Sequence, residues 1–257
     1  MQAVILCGGL GTRMREETEF RPKPMVEIGG RPILWHIMKT YAHHGITEFV
    51  LCLGYKGSMI KDYFLNYETT SNDFTVRLGR KDRIHFHGAH NEGDWSVTLV
   101  DTGPDTNTGG RVKRIEPFIN GDRFLVTYGD GVGDVDISAT VLHHESHGKL
   151  ATVSVVRPIT RFGIADLDPS DRVLSFREKP VSEDWVSAGF FVFERGVFEY
   201  LDDDCVLEKE PFERLSKDGQ VAAYRHHGFW HPMDTFRELQ MLAGIWETGA
   251  APWKVWS

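Results

Sequence analysis

The chain has 257 residues, of which 41% are hydrophobic and 26% are charged, and its formal net charge is −8 at pH 7. This length allows a sizeable core within one large α/β domain. The acidic balance argues against a nucleic-acid-binding surface, which would show a basic patch, although a few local cations suffice for a nucleotide. The sequence shows no secretory signal and no apolar span of about 18 residues, so we expect a cytoplasmic protein without membrane contact.

The apolar residues 2–7 at the start of the chain are typical of a buried parallel strand. They lead into a glycine-rich loop that contains Arg13, and Lys23 follows between two prolines. Glycines let backbone N–H groups approach a polyphosphate closely, and the two basic side chains add fixed positive charge. This start predicts a site for a nucleoside triphosphate.

Two familiar phosphate-binding motifs do not match the loop. A Walker A loop ends in Gly-Lys-Ser/Thr, whereas this loop ends in Gly11-Thr12-Arg13. The dinucleotide fingerprint needs a third glycine at the position of Met14. A simple tight turn is the remaining alternative, but a turn alone requires neither Arg13 nor Lys23.

Helical and strand patterns alternate along the first half of the chain. Residues 31–44 have the apolar spacing of a helix with Pro32 in its first turn. Further elements are predicted as a strand over 48–53, a helical stripe over 59–64, strands and turns over 74–100, a helix opening at 109–112 and a strand over 124–128. The alternation predicts a Rossmann-like α/β fold, a mostly parallel mixed sheet flanked by helices.

After residue 150 the pattern changes to short strands at close spacing. Strands are predicted over 151–156, 172–177 and 188–193, and a terminal helix is predicted over 235–247. No linker rich in glycine, serine or proline divides the chain. We therefore expect a single domain over residues 1–257 whose later strands extend the same sheet, and a separate small domain is the less favoured alternative.

The three cysteines, Cys7, Cys52 and Cys205, are spread along the chain without a CxxC pair. Two of them lie in apolar runs that are predicted to be strands. We interpret all three as buried free thiols of a protein in a reducing compartment.

Two aspartates are candidates for metal chemistry. Asp130 follows the strand predicted over 124–128 and has a glycine on each side. The carboxyl end of a parallel strand is where α/β proteins bind ligands. Asp234 precedes the predicted terminal helix, where a helix N-cap is the simpler interpretation. From these residues alone, the cap is slightly favoured over a metal ligand for Asp234.

The segment Gly8-Gly9-Leu10-Gly11-Thr12-Arg13 with Lys23-Pro24-Met25 resembles the signature of sugar-nucleotide pyrophosphorylases, the nucleotidyltransferases of sugar 1-phosphates. Segments 32–38, 127–132, 228–235 and 251–256 resemble the branch that transfers a cytidylyl group to glucose 1-phosphate. The resemblance covers essentially the whole chain. It implies a GT-A-like nucleotidyltransferase architecture, CTP and a sugar 1-phosphate as substrates, Mg²⁺ as cofactor, and a homo-oligomer, by resemblance a hexamer. No short motif specifies a base, so cytidine rests on the resemblance.

The same resemblance implies roles for individual residues. It makes residues 1–150 the nucleotide-binding part and residues 151–257 the sugar-binding and oligomerisation part. It matches the two Mg²⁺ carboxylates to Asp130 and Asp234, and it makes Arg13, Lys23 and Asp130 catalytic. It also implies that Lys179 contacts the sugar phosphate. The implied substrate-binding set is Leu6, Cys7, Gly8, Gly9, Leu10, Gly11, Thr12, Arg13, Lys23, Arg111, Gly129 and Lys179.

One position departs from the family pattern. Many relatives carry Asn-x-Gly where this chain has Ser187-Ala188-Gly189. A serine offers one hydroxyl, whereas an asparagine offers an NH₂ group and a carbonyl. Either the sugar differs, or another residue compensates for the missing contact to the sugar hydroxyls.

These groups predict an in-line reaction. The phosphate oxygen of the sugar 1-phosphate attacks the α-phosphorus of CTP, and pyrophosphate leaves. The protein would act mainly by positioning and by charge stabilisation.

Three alternatives stay open. The first is an enzyme that takes UTP or dTTP instead of CTP. The second is a non-catalytic relative that binds a sugar nucleotide. The third is an interaction patch formed by the tryptophan-rich tail with Trp246, Trp253 and Trp256.

Overall fold

A computed structural model describes residues 1–79, 84–88 and 90–256. Its strands are β1 Gln2–Cys7, β2 Glu27–Ile28, β3 Arg31–Pro32, β4 Glu48–Leu53, β5 Phe74–Val76, β6 Ile84–Phe86, β7 Ser96–Asp101, β8 Arg123–Tyr128, β9 Gly131–Gly133, β10 Ala151–Val156, β11 Ile164–Leu167, β12 Val173–Arg177, β13 Val186–Glu194, β14 Val221–Arg225 and β15 Trp230–Pro232. Its α-helices are α1 Arg15–Thr18, α2 Ile33–His43, α3 Gly57–Leu65, α4 Tyr67–Ser71, α5 Thr108–Arg114, α6 Ile137–His147, α7 Glu210–Lys217 and α8 Phe236–Glu247.

A seven-stranded sheet in the order β14-β10-β13-β8-β1-β4-β7 forms the centre of the molecule. β1 pairs in parallel with β4 and β8, β4 with β7, and β10 with β14. Only β13 runs antiparallel, to both β8 and β10. The predicted mostly parallel mixed sheet flanked by helices is therefore confirmed.

The apolar runs of the central strands follow from burial on both faces. All six residues of β1 are buried, because two separate hydrophobic clusters cover the two faces of the sheet. Cys7 belongs to one cluster and Cys52 to the other. The three cysteines are free and buried, as predicted. Burial raises the pKa of Cys52 to about 12 and also raises the pKa of Cys7.

Helix α2 begins slightly later than the sequence predicts. Pro32 lies before the helix rather than in its first turn, because its backbone is extended and pairs with Glu27 in a short antiparallel ladder. The predicted apolar face of α2 is buried in the core, with Leu34 and Met38 fully inaccessible. In the region predicted over 74–100, the structure has the β5–β6 hairpin and β7, and residues 80–83 and 89 lie outside the described part of the chain.

The second half only partly follows the prediction. β10, β13 and β14 extend the central sheet, but β12 pairs with β11 in a separate two-stranded hairpin. Every residue of these two strands is exposed. The expectation that the strand over 172–177 joins the main sheet is wrong, because β12 forms its ladder with β11 instead of with a strand of that sheet.

The tryptophan-rich tail packs on its own chain. Trp253 is fully buried in the core, and Trp246 and Trp256 pack against that core. The three indoles surround the ring of His36. Trp246, Trp253 and Trp256 therefore contribute to the core instead of forming an exposed patch. None of the helices in the described residues is long and apolar enough to cross a membrane.

Candidate active site

The glycine-rich loop begins where β1 ends and turns sharply at Gly11. Gly11 has a φ of 61°, in the left-handed region, and a Cβ there would lie 2.6 Å from Cγ2 of Thr18. The hydroxyl of Thr18 donates to the carbonyls of Gly11 and Met14 at 3.1 and 2.9 Å. The backbone therefore requires a glycine here, and the first turn of α1 holds the loop in place.

Arg111 lies behind this loop and supports it. Its guanidinium donates to the carbonyls of Gly8, Leu53 and Gly103 at 3.0, 3.1 and 2.7 Å. It also donates to the hydroxyl of Thr102 at 2.8 Å, and the whole residue is only 4% exposed. The sequence predicted that Arg111 contacts substrate, whereas in the structure most N–H groups of its guanidinium donate to protein oxygens.

Four of the predicted residues meet at one point beside the loop. The Lys23 ammonium lies 2.6 Å from Oδ2 of Asp130 and 2.6 Å from Oδ1 of Asp234. Arg13 donates to the same Oδ1 of Asp234 at 2.9 Å. Lys23 and Asp234 are largely buried, whereas the Arg13 side chain is 67% exposed. Asp130 reaches this point because it follows β8, the neighbour of β1 in the sheet.

Neighbouring cations keep the carboxyl group of Asp234 ionised. Burial alone raises the pKa of this carboxyl, but the hydrogen bond and charge of Lys23, with the charges of Arg13 and Arg161, bring the pKa below its usual value. Asp234 is thus ionised at neutral pH and available as an anionic ligand.

Asp234 is not the helix cap that its position suggested. Thr235 caps α8: its Oγ1 accepts from the backbone N–H of Glu238, and Oε2 of Glu238 accepts from the N–H groups of Thr235 and Asp234. This capping box satisfies the amide of Glu238 in the first turn and the amides of the two residues that precede the helix. The cap interpretation was wrong by one residue, and the Asp234 carboxylate is left free to turn toward Lys23.

The donor set fits a hard divalent cation. Two carboxylate oxygens converge on one ammonium, which is itself a cation standing between them. Oxygen ligands of this kind suit Mg²⁺, which usually keeps one or two carboxylates together with phosphate oxygens and water. Within the described residues, no group of three or more His, Cys, Asp or Glu side chains could hold a metal. A cation here would therefore need nucleotide oxygens or water to complete its shell.

Two adjoining cavities open onto these groups. The first, of about 370 Å³, is bordered by the loop and by the amino-terminal end of α5. Predicted substrate-binding residues on its wall are Leu6, Cys7, Gly8, Gly9, Gly11, Thr12, Arg13, Lys23, Arg111 and Gly129. The second, of about 340 Å³, shares Arg13, Asp130 and Asp234 with the first.

Two predicted residues are not on either wall. Leu10 is 51% exposed and is not part of the lining of the first cavity. Its side chain is therefore not expected to contact a bound nucleotide, which leaves its backbone groups as the possible contact. Lys179 lies on the wall of a third cavity of about 1140 Å³, with its ammonium 3.6 Å from Glu178. The structure therefore does not bring Lys179 to the acidic pair.

The second cavity contains residues that the sequence alone did not single out. Thr108, Tyr128, Glu208 and Trp230 lie on its wall together with Ser187. Glu208 stands in the run Glu208-Lys209-Glu210, which looks like an ordinary solvated segment. No spacing relates these residues to the glycine-rich loop, so only the folded chain could identify them.

A glycine-rich loop beside an acidic pair, at the carboxyl ends of parallel strands, defines a nucleotide-binding α/β enzyme. The model of the nucleotidyl transferase family matches residues 2–233, and the chain belongs to that family. The family recognised from the sequence is thereby confirmed.

Individual relatives agree with this assignment. The chain is 50% identical to a glucose-1-phosphate cytidylyltransferase of Salmonella typhi, over 100% of both chains. It is 42% identical to a probable glucose-1-phosphate cytidylyltransferase of Bacillus subtilis, again over 100% of both.

Solved structures show the same fold at lower identity. HddC from Yersinia pseudotuberculosis superposes with a TM-score of 0.70 at 23% identity, covering 95% of this chain and 99% of that one. A UDP-glucose pyrophosphorylase complexed with UDP-glucose gives 0.69 at 14% identity, covering 96% and 98%. These neighbours confirm the nucleotidyltransferase, GT-A-like architecture.

Proposed function

We propose that this protein transfers a cytidylyl group from CTP to α-D-glucose 1-phosphate, giving CDP-glucose and pyrophosphate. The main support for the proposal is one structural observation. Four side chains lie in contact beside the two adjoining cavities: Arg13, Lys23, Asp130 and Asp234. The choice of substrates is supported by the full-length identity of 50% to a named glucose-1-phosphate cytidylyltransferase.

The first cavity is the proposed site of the nucleotide. The loop would offer backbone N–H groups to the phosphates, and Arg13 and Lys23 would stabilise charge that develops on the α-phosphate and on the leaving pyrophosphate. Asp130 and Asp234 would hold Mg²⁺, which supplies charge neutralisation and orients the phosphates when bound. Arg111 acts on this site indirectly, because it positions the loop through the carbonyl of Gly8.

The second cavity is the proposed site of the sugar 1-phosphate. It shares the acidic pair with the first cavity, so a phosphate held there would face the α-phosphorus of the nucleotide. The main contribution of the protein is then the alignment of attacking oxygen and leaving group. For Lys179 to hold this phosphate, the segment that carries β11 and β12 must move toward the second cavity. If Lys179 holds this phosphate, Lys179→Met should raise the KM for glucose 1-phosphate and leave the KM for CTP unchanged.

We further propose a cytoplasmic homo-oligomer, with a hexamer suggested by the family resemblance. Support comes from the β11–β12 hairpin and its flanks, which expose large apolar side chains such as Phe162, Leu174 and Phe176. A patch of this kind is unusual on a monomer surface. Light scattering coupled to size-exclusion chromatography measures the subunit number.

In the same proposal, residues 1–150 form the nucleotide-binding part and residues 151–257 the sugar-binding and oligomerisation part.

The experiment for the activity is pyrophosphate release with Mg²⁺ and glucose 1-phosphate, comparing CTP, UTP, dTTP, ATP and GTP. A strong preference for CTP supports the proposal. Release with UTP or dTTP alone keeps the reaction class and overturns the cytidylyl assignment. If no nucleotide supports release with any of several sugar 1-phosphates, a non-catalytic sugar-nucleotide-binding role replaces the proposal.

A further inference from the structure

The second cavity offers few acceptors for the hydroxyl groups of a sugar. Ser187 is on its wall, but the Ser187 hydroxyl oxygen already accepts from the N–H of Gly189 at 3.2 Å. Its remaining proton can donate one hydrogen bond. Asp130 and Asp234 are turned toward Lys23 and are the proposed ligands of the cation. The Tyr128 hydroxyl on the same wall, which has no hydrogen-bond partner among the described residues, is a neutral group that can donate or accept. A strong anionic acceptor for the sugar must therefore come from another carboxylate.

Glu208 is a carboxylate on the same wall that is placed to serve as this acceptor. Its Oε2 accepts from the hydroxyl of Thr108 at 2.9 Å, and that hydroxyl in turn accepts from the N–H of Leu207 at 2.9 Å. Thr108 is the first residue of α5, so the carboxylate is tied to an element that borders both cavities. Glu208 is an exposed residue, and the first of these hydrogen bonds is the one that reaches its carboxylate. It orients the group through Oε2 and leaves Oε1 without a hydrogen bond among the described residues.

The charge of Glu208 is otherwise unused. Among residues 1–79, 84–88 and 90–256, Glu208 forms no ion pair with Lys, Arg or His within 4.0 Å. An ionised carboxylate accepts hydrogen bonds and donates none, and it can serve two hydroxyl groups at once. Hydrogen bonds to charged groups are stronger than neutral ones. The chemistry of Glu208 is thus complementary to neighbouring hydroxyls on a pyranose ring.

We propose that Glu208 is a specificity-determining residue that accepts hydrogen bonds from hydroxyls of the sugar 1-phosphate. Together, Ser187 as donor and Glu208 as acceptor supply what a single asparagine amide would supply at position 187. Trp230 completes the subsite, because its ring lies on the same wall and its Nε1 is held by the carbonyl of Ala188 at 2.8 Å. This inference rests on the proposed function and names the sugar-recognition element of that same site.

The test combines the Glu208→Gln variant with sugar 1-phosphates that each lack one hydroxyl, in the manner of a double-mutant cycle. Glu208→Gln keeps the size of the side chain and an oxygen for Thr108, but it removes the charge. Kinetics are measured with CTP and glucose 1-phosphate, and with the 2-, 3-, 4- and 6-deoxy analogues. In the wild type, at least one analogue is expected to lose about 10- to 100-fold in kcat/KM, the range for a hydrogen bond to a charged group. Glu208→Gln is expected to lose a similar factor on glucose 1-phosphate, at constant KM for CTP, with no further loss on that analogue.

Glu210→Gln is the matched control. Glu210 stands two positions along, its side chain is 65% exposed, and it pairs with Arg214. This variant should behave as the wild type with every sugar. If wild-type turnover is normal but Glu208→Gln leaves glucose 1-phosphate kinetics unchanged, or lowers all sugars equally, this inference is overturned and the proposed function stands. If the wild type shows no CTP-dependent turnover, the proposed function is overturned and this inference with it.

Discussion

The ammonium of Lys23 lies between two carboxylates that come from distant parts of the chain. Its contacts of 2.6 Å to Asp130 and Asp234 compensate two negative charges in a largely buried place. Breaking such a buried arrangement leaves uncompensated charge, which is costly. The sequence could nominate each of these residues separately, from a proline-framed lysine and a glycine-flanked aspartate. The family resemblance implied that the two carboxylates share one cation, but the sequence could not show that Lys23 lies between them.

Asp130→Asn should lower turnover by at least two orders of magnitude, which corresponds to about 3 kcal/mol of barrier. The amide keeps the shape of the side chain but removes an anionic oxygen from the proposed cation site. The measurement is kcat for pyrophosphate release at saturating substrates. Asp94→Asn, on an exposed residue, provides the control. Turnover close to that of the wild type would remove Asp130 from the proposed metal role.

Lys23→Met should tighten binding of Mn²⁺ to the nucleotide-free protein by about tenfold, even though it lowers turnover. The reason is that the ammonium and a divalent cation compete for the same two carboxylates, and the variant leaves Asp130 without its ammonium partner and Asp234 paired with Arg13 alone. Electron paramagnetic resonance of free Mn²⁺ measures the affinity. Lys23→Arg, which retains the charge, should bind Mn²⁺ as weakly as the wild type. Weaker binding by Lys23→Met than by the wild type would contradict this competition.

At the level of elements, position 8 requires a glycine because a side chain of α5 occupies the space beside it. A Cβ at Gly8 would lie 2.1 Å from Cζ of Arg111, and a Cβ at Gly54 would lie 2.6 Å from its Nη1. The guanidinium thus fills the space between the ends of β1 and β4 and ties both ends to α5. The sequence suggested that the loop glycines admit phosphate, whereas this glycine admits Arg111.

Gly8→Ala should destabilise the protein by about 2–4 kcal/mol, because the methyl group collides with a buried guanidinium that cannot easily move. Gly9→Ala is the matched control, since no atom of the described part of the chain lies within 4 Å of a Cβ at Gly9. The free energy of unfolding in urea is measured for both. The double variant Gly8→Ala with Arg111→Met should be less destabilised than the sum of the two single variants. Strict additivity would mean that the two residues do not compete for space.

At the scale of the whole molecule, the carboxyl-terminal tail closes the core around a buried histidine. Nε2 of His36 hydrogen-bonds the carbonyl of Ile28 at 2.9 Å, and Nδ1 accepts from the indole N–H of Trp253 at 3.4 Å. Burial lowers the pKa of His36 from 6.5 to about 4, against smaller opposing effects of backbone hydrogen bonds. The folded protein therefore holds a neutral imidazole at neutral pH.

The stability of the fold should consequently fall as the pH falls from 6.5 to about 4. In this window the unfolded chain binds a proton at His36 that the folded chain does not, and the loss amounts to about 3 kcal/mol. Above pH 6.5 this contribution is complete and constant. Urea unfolding of the wild type and of His36→Gln measures it, and the variant should lose about that much pH dependence. His43→Gln, an exposed histidine of the same helix, should keep the wild-type slope.

The sequence by itself determined the family, the order of most elements and most of the candidate active-site residues. The strand of residues 2–7, the helix of 31–44 and the terminal helix of 235–247 were predicted to within a residue or two. Burial on both faces gives the strand a continuous apolar run, and burial of one face gives each helix an apolar period. The glycine-rich loop was visible from Gly8, Gly9 and Gly11 directly after that strand, because glycine is the residue that tight turns and close backbone approach require.

Only the tertiary structure decided how these residues act together. Contacts between distant residues leave no period in the sequence, so neither the meeting of Lys23 with two carboxylates nor the support of Gly8 by Arg111 could be predicted. The cap of α8 was misplaced because Asp234 and Thr235 are both good N-caps, and only the side-chain contacts of the folded chain distinguish them. Lys179 was assigned from the family resemblance and the strand of 172–177 from a local pattern, but the structure pairs β12 with β11 alone and places Lys179 on the wall of a different cavity from the acidic pair.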